Sequence, residues 1–273
     1  MRKTSLSFLA LFGAALLFPV VAFAQPLIYS NGGLNPQALS NSGAAAPAGF
    51  FWSEVQNDNG NTSESNASAG YSVHQGTFRL ADDFVVPPGE TWVLEAVEFH
   101  AYQTGTPPTP SPFTGYTLQV WNGRPGDAGA AVVFGDTTTN RLATSVNSTY
   151  FRIFNSAVPA PGTLPGTTRT IWRNRVTINP PLQLTAGTYW LDWDSTVSNA
   201  GSHFQPAVTL PGARGAPGWN GRQLTVSSST WADAIDSGNP TTAPDLPQDF
   251  PFDLFGMSPA TDPVFSNGFE DPT

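Results

Sequence analysis

A chain of 273 residues with 40% hydrophobic and 12% aromatic side chains carries enough apolar surface for one large domain or two small ones. Only 11% of residues are charged and 20 acids outnumber 11 bases, which argues against coiled coils and helical bundles, and against a nucleic-acid partner, whose phosphates need basic patches. Cys is absent, so no disulfide framework, thiolate nucleophile or Cys-ligated metal is available.

Residues 1–24 read as a secretory signal peptide. Arg2 and Lys3 start it, an apolar run follows from Leu6 to Phe23, and Ala22-Phe23-Ala24 forms a cleavage signal before Gln25. The run is short for a retained anchor and no later segment is apolar enough to span a bilayer, so no membrane span is expected after cleavage. The expected mature chain, 25–273, holds nine Arg against 20 acids, a formal −11.

Residues 25–49 are rich in Gly, Asn, Ser and Ala and read as an N-terminal arm or linker. Gln56 to Gly70 is polar, with a turn signal at Asp58-Asn59-Gly60. Strands are predicted over Thr77 to Val86, Thr91 to Gln103, Gly115 to Asn122, Ser145 to Phe154, Thr168 to Ile178, Gly187 to Asp194 and Phe250 to Phe255. Long loops separate some of them, among them Ser195 to Gly221 and Asp236 to Asp249. Alternation puts Tyr116, Leu118 and Val120 on one face, and sets Tyr189, Leu191 and Trp193 against Trp190, Asp192 and Asp194. Many short strands, Gly/Pro turns and no helical period indicate an all-β, jelly-roll-like antiparallel β-sandwich over residues 50–256, followed by an extended tail, 257–273.

Arg79-Leu80-Ala81-Asp82-Asp83-Phe84, Gln119-Val120-Trp121-Asn122-Gly123-Arg124-Pro125-Gly126, Leu184-Thr185-Ala186-Gly187-Thr188-Tyr189-Trp190-Leu191 and Phe252-Asp253-Leu254-Phe255-Gly256 occur in this order over about 170 residues. In kind and order they resemble a family of uncharacterised bacterial secreted β-sandwich domains, often with C-terminal sorting signals. The resemblance implies a fold and a secreted, extracellular or periplasmic address in a bacterium, and no established activity. The end departs from that pattern. Asp262-Pro263-Val264-Phe265-Ser266-Asn267-Gly268-Phe269-Glu270 is similar to short acidic-aromatic tails on secreted proteins of some Gram-negative bacteria, and reads as a sorting tag or as a frayed terminus.

Several residue sets could carry chemistry. Asp82 and Asp83 are candidates for a structural calcium site, although neighbours on a strand point to opposite faces. Asp58-Asn59-Gly60-Asn61 resembles half a calcium loop without its closing Glu. No cofactor other than such a calcium ion is expected. Asp192 and Asp194 share a face with Trp190, a pairing that could serve glycoside chemistry or a solvated surface. His74, His100 and His203 lack metal-site spacing, and no Gly-x-Ser-x-Gly elbow is present.

Eight Trp are the heavier signal. Trp172 and Trp193 are assigned to the core, Trp121 and Trp190 to mixed faces, and Trp219 and Trp231 to loop-like surroundings. Exposed aromatics on a rigid sheet stack on sugar rings while nearby acids bind hydroxyls. The leading reading is a secreted, non-catalytic module with glycan as ligand, bound through Trp121, Trp190, Asp192, Asp194, Trp219 and Trp231. The alternatives are a secreted glycan hydrolase using Asp192 or Asp194, and a structural component of the envelope or matrix whose partner is an extracellular protein.

Overall fold

The computed structural model describes residues 25–55, 64–154, 156 and 165–259. The signal-peptide reading of 1–24, the half calcium loop at 58–61 and the sorting-tag reading of 262–270 lie outside the described residues.

The described chain is all-β. Its strands are β1 (Leu27–Ser30), β2 (Pro36–Gln37), β3 (Phe51–Glu54), β4 (Tyr71–Ser72), β5 (Phe78–Gln103), β6 (Phe113–Asn122), β7 (Ala131–Asp136), β8 (Leu142–Ile153), β9 (Thr170–Val197) and β10 (His203–Gln205). There follow β11 (Arg222–Thr225), β12 (Thr230–Asp233), β13 (Ile235–Asp236), β14 (Leu246–Pro247) and β15 (Phe252–Met257). Thirteen of them belong to one mixed sheet, and β13 with β14 form a small second one. The β3–β8 pair is parallel, and the other pairs of the large sheet are antiparallel.

The frame is a ribbon of β5 and β9, paired from Leu80↔Trp193 to Tyr102↔Ile171. Its register slips twice, between Val86 and Thr91 and between Leu94 and Ala96. Both slips coincide with prolines. Pro87-Pro88 lies in the first gap, and Pro180-Pro181 lies opposite the second. Proline has no N–H to give the ladder, so paired strands must bulge there. Predicted strands that ended at these turns therefore merge into two long, bent ones.

The bends fold the ribbon onto itself. Phe99 and Trp193 sit nineteen registers apart along it, since Trp193 pairs with Leu80. A straight ribbon would hold them about 60 Å apart, yet their rings stack at 4.5 Å. Tyr116 also stacks with Phe99, at 5.8 Å. The main core joins both halves, with Leu80, Phe84, Leu191 and Trp193 from one and Val97, Phe99, Trp172 and Val176 from the other. Of the six residues read as inward-facing, Tyr116, Leu118, Val120, Leu191 and Trp193 are buried, while Tyr189 is half-buried against Phe84.

The first half of the ribbon is flanked by β11–β12 beside β5 and by β6–β7 beside β9. The second half is flanked by β15–β1 and by β8–β3–β2. The segment 25–49, read as an arm or linker, thus supplies β1 and β2. Tyr29 packs near Phe84, Trp92 and Phe252 with ring centroids 5.9–6.2 Å apart. No helix among the described residues is long and apolar enough to cross a membrane.

Candidate functional site

Register decides which side chains share the outer face of the ribbon's first half, because residues directly opposite on paired strands point the same way. Trp231 lies opposite Leu224, and Leu224 opposite Arg79. Asp233, Arg222, Ala81, Asp192 and Gln119 make the next row. Asp83, Trp190 and Trp121 make the third. Five of the six predicted ligand residues, Trp121, Trp190, Asp192, Asp194 and Trp231, therefore meet on one face. Trp231 reaches it from a strand, β12, where a loop was expected. Trp219 stands apart, half-buried after a turn closed by its N–H to Ala216 O at 3.3 Å.

Arg79 is the hub of this face. Its Nε meets Asp192 Oδ1 and its Nη1 meets Asp194 Oδ2, both at 2.6 Å. Nη1 also donates to Thr117 Oγ1 at 2.9 Å, and Nη2 to the Asp192 carbonyl at 3.1 Å. The remaining carboxylate oxygens are also used. Thr117 Oγ1 donates to Asp194 Oδ1 at 2.6 Å and Trp121 Nε1 to Asp192 Oδ2 at 3.2 Å. Burial pushes both carboxyls up, and the Arg79 charge opposes that push.

The expected wetness of this face is corrected. Trp190 is only 3% exposed, against 0% for Trp193, and Asp192 and Asp194 are buried as well. The parity is right, since Arg79 reaches both acids from one side. The face is dry because other elements lie over it. Arg222 Nη1 donates to Pro125 O, and a Cβ on Gly126 would come within 3.0 Å of Trp231, so the 123–130 turn rests on the β11–β12 hairpin. Arg124 extends from that turn over the Trp190 ring, 5.7 Å from its centroid, and pairs with Asp233 at 2.6 Å. Trp121, Gln119, Arg124 and Trp231 remain half-exposed at the rim.

Asp82 and Asp83 diverge as strand neighbours do. Asp82 is fully buried, and accepts from Phe250 N at 2.6 Å, Asp83 N at 2.9 Å and Asn31 Nδ2 at 3.0 Å. Its oxygens thus bind N–H donors and tie Asn31 and Phe250 to β5. Asp83 faces the opposite side, with Asn220 and Arg124. Burial and the neighbouring Asp249 push the Asp82 carboxyl well up, and Asp249 itself is pushed up to about 6, chiefly by burial. Among the described residues no three His, Asp or Glu side chains are grouped so that they could hold a metal ion. Of the histidines, His74 and His203 stack at 5.0 Å, while His100 lies in the second half of the ribbon near Asp253 and Arg173.

No protein-family model, curated protein or solved structure matches this chain. The chemistry of the face rests on its own geometry. Sequence reading found its Trp and Asp and missed its cations, Arg79, Arg124 and Arg222. In a chain with 11% charged residues, an Arg inside an apolar strand such as Phe78-Arg79-Leu80-Ala81 was the available signal, because such a cation must find a buried partner.

Proposed function

We propose that the chain is a secreted, non-catalytic bacterial module, folded as a jelly-roll-like sandwich about its doubled ribbon, that binds glycan at the rim of the outer face. The residues assigned to the contact are Trp121 and Trp231, with Arg124 and Gln119 beside them. Trp190, Asp192 and Asp194 support the rim from beneath. The observation that carries this reading is the clustering of Trp121, Trp190 and Trp231 on one rigid, Arg79-centred sheet face, two of them with open edges.

The same network speaks against the hydrolase reading at these acids. A glycosidase needs two carboxyls aimed at substrate from either side of the scissile bond. Here all four oxygens of the pair are bonded to Arg79, Thr117 and Trp121. The protein-binding reading is favoured by β7, which pairs only with β6 among the described strands and exposes Val132 and Val133. An uncovered apolar edge of this kind accepts a partner strand.

A glycan array followed by titration of Trp121→Ala and Trp231→Ala tests the proposal. Loss of about 1–3 kcal/mol of binding is expected from either substitution. Absence of any glycan ligand for the unmodified protein would remove it.

A further inference from the structure

We propose that a second site, the groove between the β7–β8 turn and the middle of β9, binds a carboxylate-bearing, hydroxylated ligand of the uronic-acid class, with Arg141 as the carboxylate partner. The groove is open, holds about 370 Å³, and is lined by Thr139, Asn140, Arg141, Leu142, Thr177 and Asn179. That volume lies near the lower end of small-molecule sites, roughly 300–1,000 Å³. Phe134 beneath it pairs with Val120, on the face of β6 opposite to Trp121, so this site does not rest on the outer-face reading.

Arg141 is fixed before any ligand arrives. Its N–H donates to Tyr116 O at 2.8 Å, and its carbonyl accepts from Thr177 N at 2.9 Å. Its guanidinium lies over the Phe134 ring, 4.7 Å from the centroid. Yet its charge is poorly matched. Among the described residues its one carboxylate contact is Nη2 to Asp136 Oδ2 at 3.4 Å, longer than the about 2.7–2.9 Å of a charge-assisted bond. Asp136 is already committed to Thr138 and Thr139, whose N–H and O–H groups donate to it at 2.6–2.9 Å. Those bonds hold its carboxyl well below the usual carboxylate range. Arg141 Nε is buried without a hydrogen-bond partner, and Nη1 makes no hydrogen bond among the described residues.

An arginine with spare donors, stacked on an aromatic ring and open to a polar groove, is suited to a planar carboxylate. A single guanidinium with no second cation in the lining matches one negative charge better than a phosphate dianion. Thr177 and Asn179 are exposed, and their side chains make no hydrogen bond among the described residues. They offer a hydroxyl and an amide to the hydroxyls of a sugar ring.

Calorimetric titration of the purified protein with galacturonate, a galacturonate trimer, gluconate and neutral galactose tests the assignment. Both uronates are expected to bind at least tenfold tighter than galactose. Arg141→Gln should weaken them at least tenfold and erase the preference for acid. Thr177→Val and Asn179→Ala, on exposed side chains, should each weaken uronate binding a few-fold, and they carry the test if Arg141→Gln does not fold. Gluconate binding as tightly as galacturonate would overturn the sugar-ring assignment. Equal affinity for galacturonate and galactose, unchanged affinity in a folded Arg141→Gln protein, or no uronate binding at millimolar concentration would overturn the site.

Discussion

Arg79 holds two buried carboxylates whose removal from water is costly on its own. Arg79→Met is expected to destabilise the protein by about 3–5 kcal/mol in urea unfolding, because Asp192 and Asp194 lose their counter-charge together. Adding Asp192→Leu and Asp194→Leu should recover part of that loss. Asp249 offers a pH-dependent test. Its folded carboxyl is pushed up to about 6, so its contribution to stability is present below about pH 4 and lost as pH rises through 6. A displacement from 3.8 to about 6 is worth about 3 kcal/mol, and residual solvent reduces this to about 1–2. Asp249→Asn keeps an oxygen for the Asn220 and Gly221 N–H groups. It should therefore be more stable than the parent at pH 7–8 by about that amount, with the difference vanishing near pH 4. Opposite pH trends from the buried His100 and His203 are common to both proteins and cancel in the comparison. The alternation of residues 189–194 was legible in the sequence as parity. Their exposure was not, since what lies over Trp190 is Arg124 from the 123–130 turn, which the hairpin of residues 222–233 holds in place, and both segments are remote in the chain.

The strands in the ribbon were readable from alternation and β-branched content, but their continuity was not. Pro87-Pro88-Gly89 and Asn179-Pro180-Pro181 look like turns that end a strand, and only the ladder resuming beyond each of the two register slips shows that both strands continue. Strand β7 was missed because Ala131-Val132-Val133-Phe134 has no alternation, as suits an edge exposed on both sides. Gly135 ends that run with φ +80°, and a Cβ there would stand 2.0 Å from the Leu118 carbonyl oxygen. Gly135→Ala is thus expected to cost more than about 2 kcal/mol, through left-handed strain and the clash with β6. Hydrogen exchange on β7 and the neighbouring edge of β6 would show the loss locally. At the other end, removing 25–30 strips β1 from β15 and uncovers Phe252 and Trp92. A loss of about 3 kcal/mol or more is expected, the scale of deleting a large buried aromatic, and Tyr29→Ala should reproduce most of it.

At the scale of the molecule, the low charge content and the Gly/Pro punctuation were enough to set the all-β class, because few other architectures use so many short apolar runs. The large-scale arrangement was hidden, since it depends on Phe99 meeting Trp193 across a fold in the ribbon and not on any local pattern. Phe99→Ala is expected to lower stability by about 3–5 kcal/mol and to weaken both halves together in a single unfolding transition. Two separated transitions would show that the halves are independent.

The pairing of β1 with β15 has a consequence for synthesis. Leu27 finds its sheet partner in Phe255, and β15 in turn docks on β5. A chain growing from its N-terminus therefore carries its first strand unpaired until residue 257 has emerged, and its central ribbon cannot close until β9 follows β5 by some seventy residues. Closure of the sheet edge formed by β1 and β15 is thereby deferred until β15 has been made. Any machinery that handles the nascent chain meets an extended, threadable polypeptide, and a nascent chain stalled before Phe252 should remain protease-sensitive throughout.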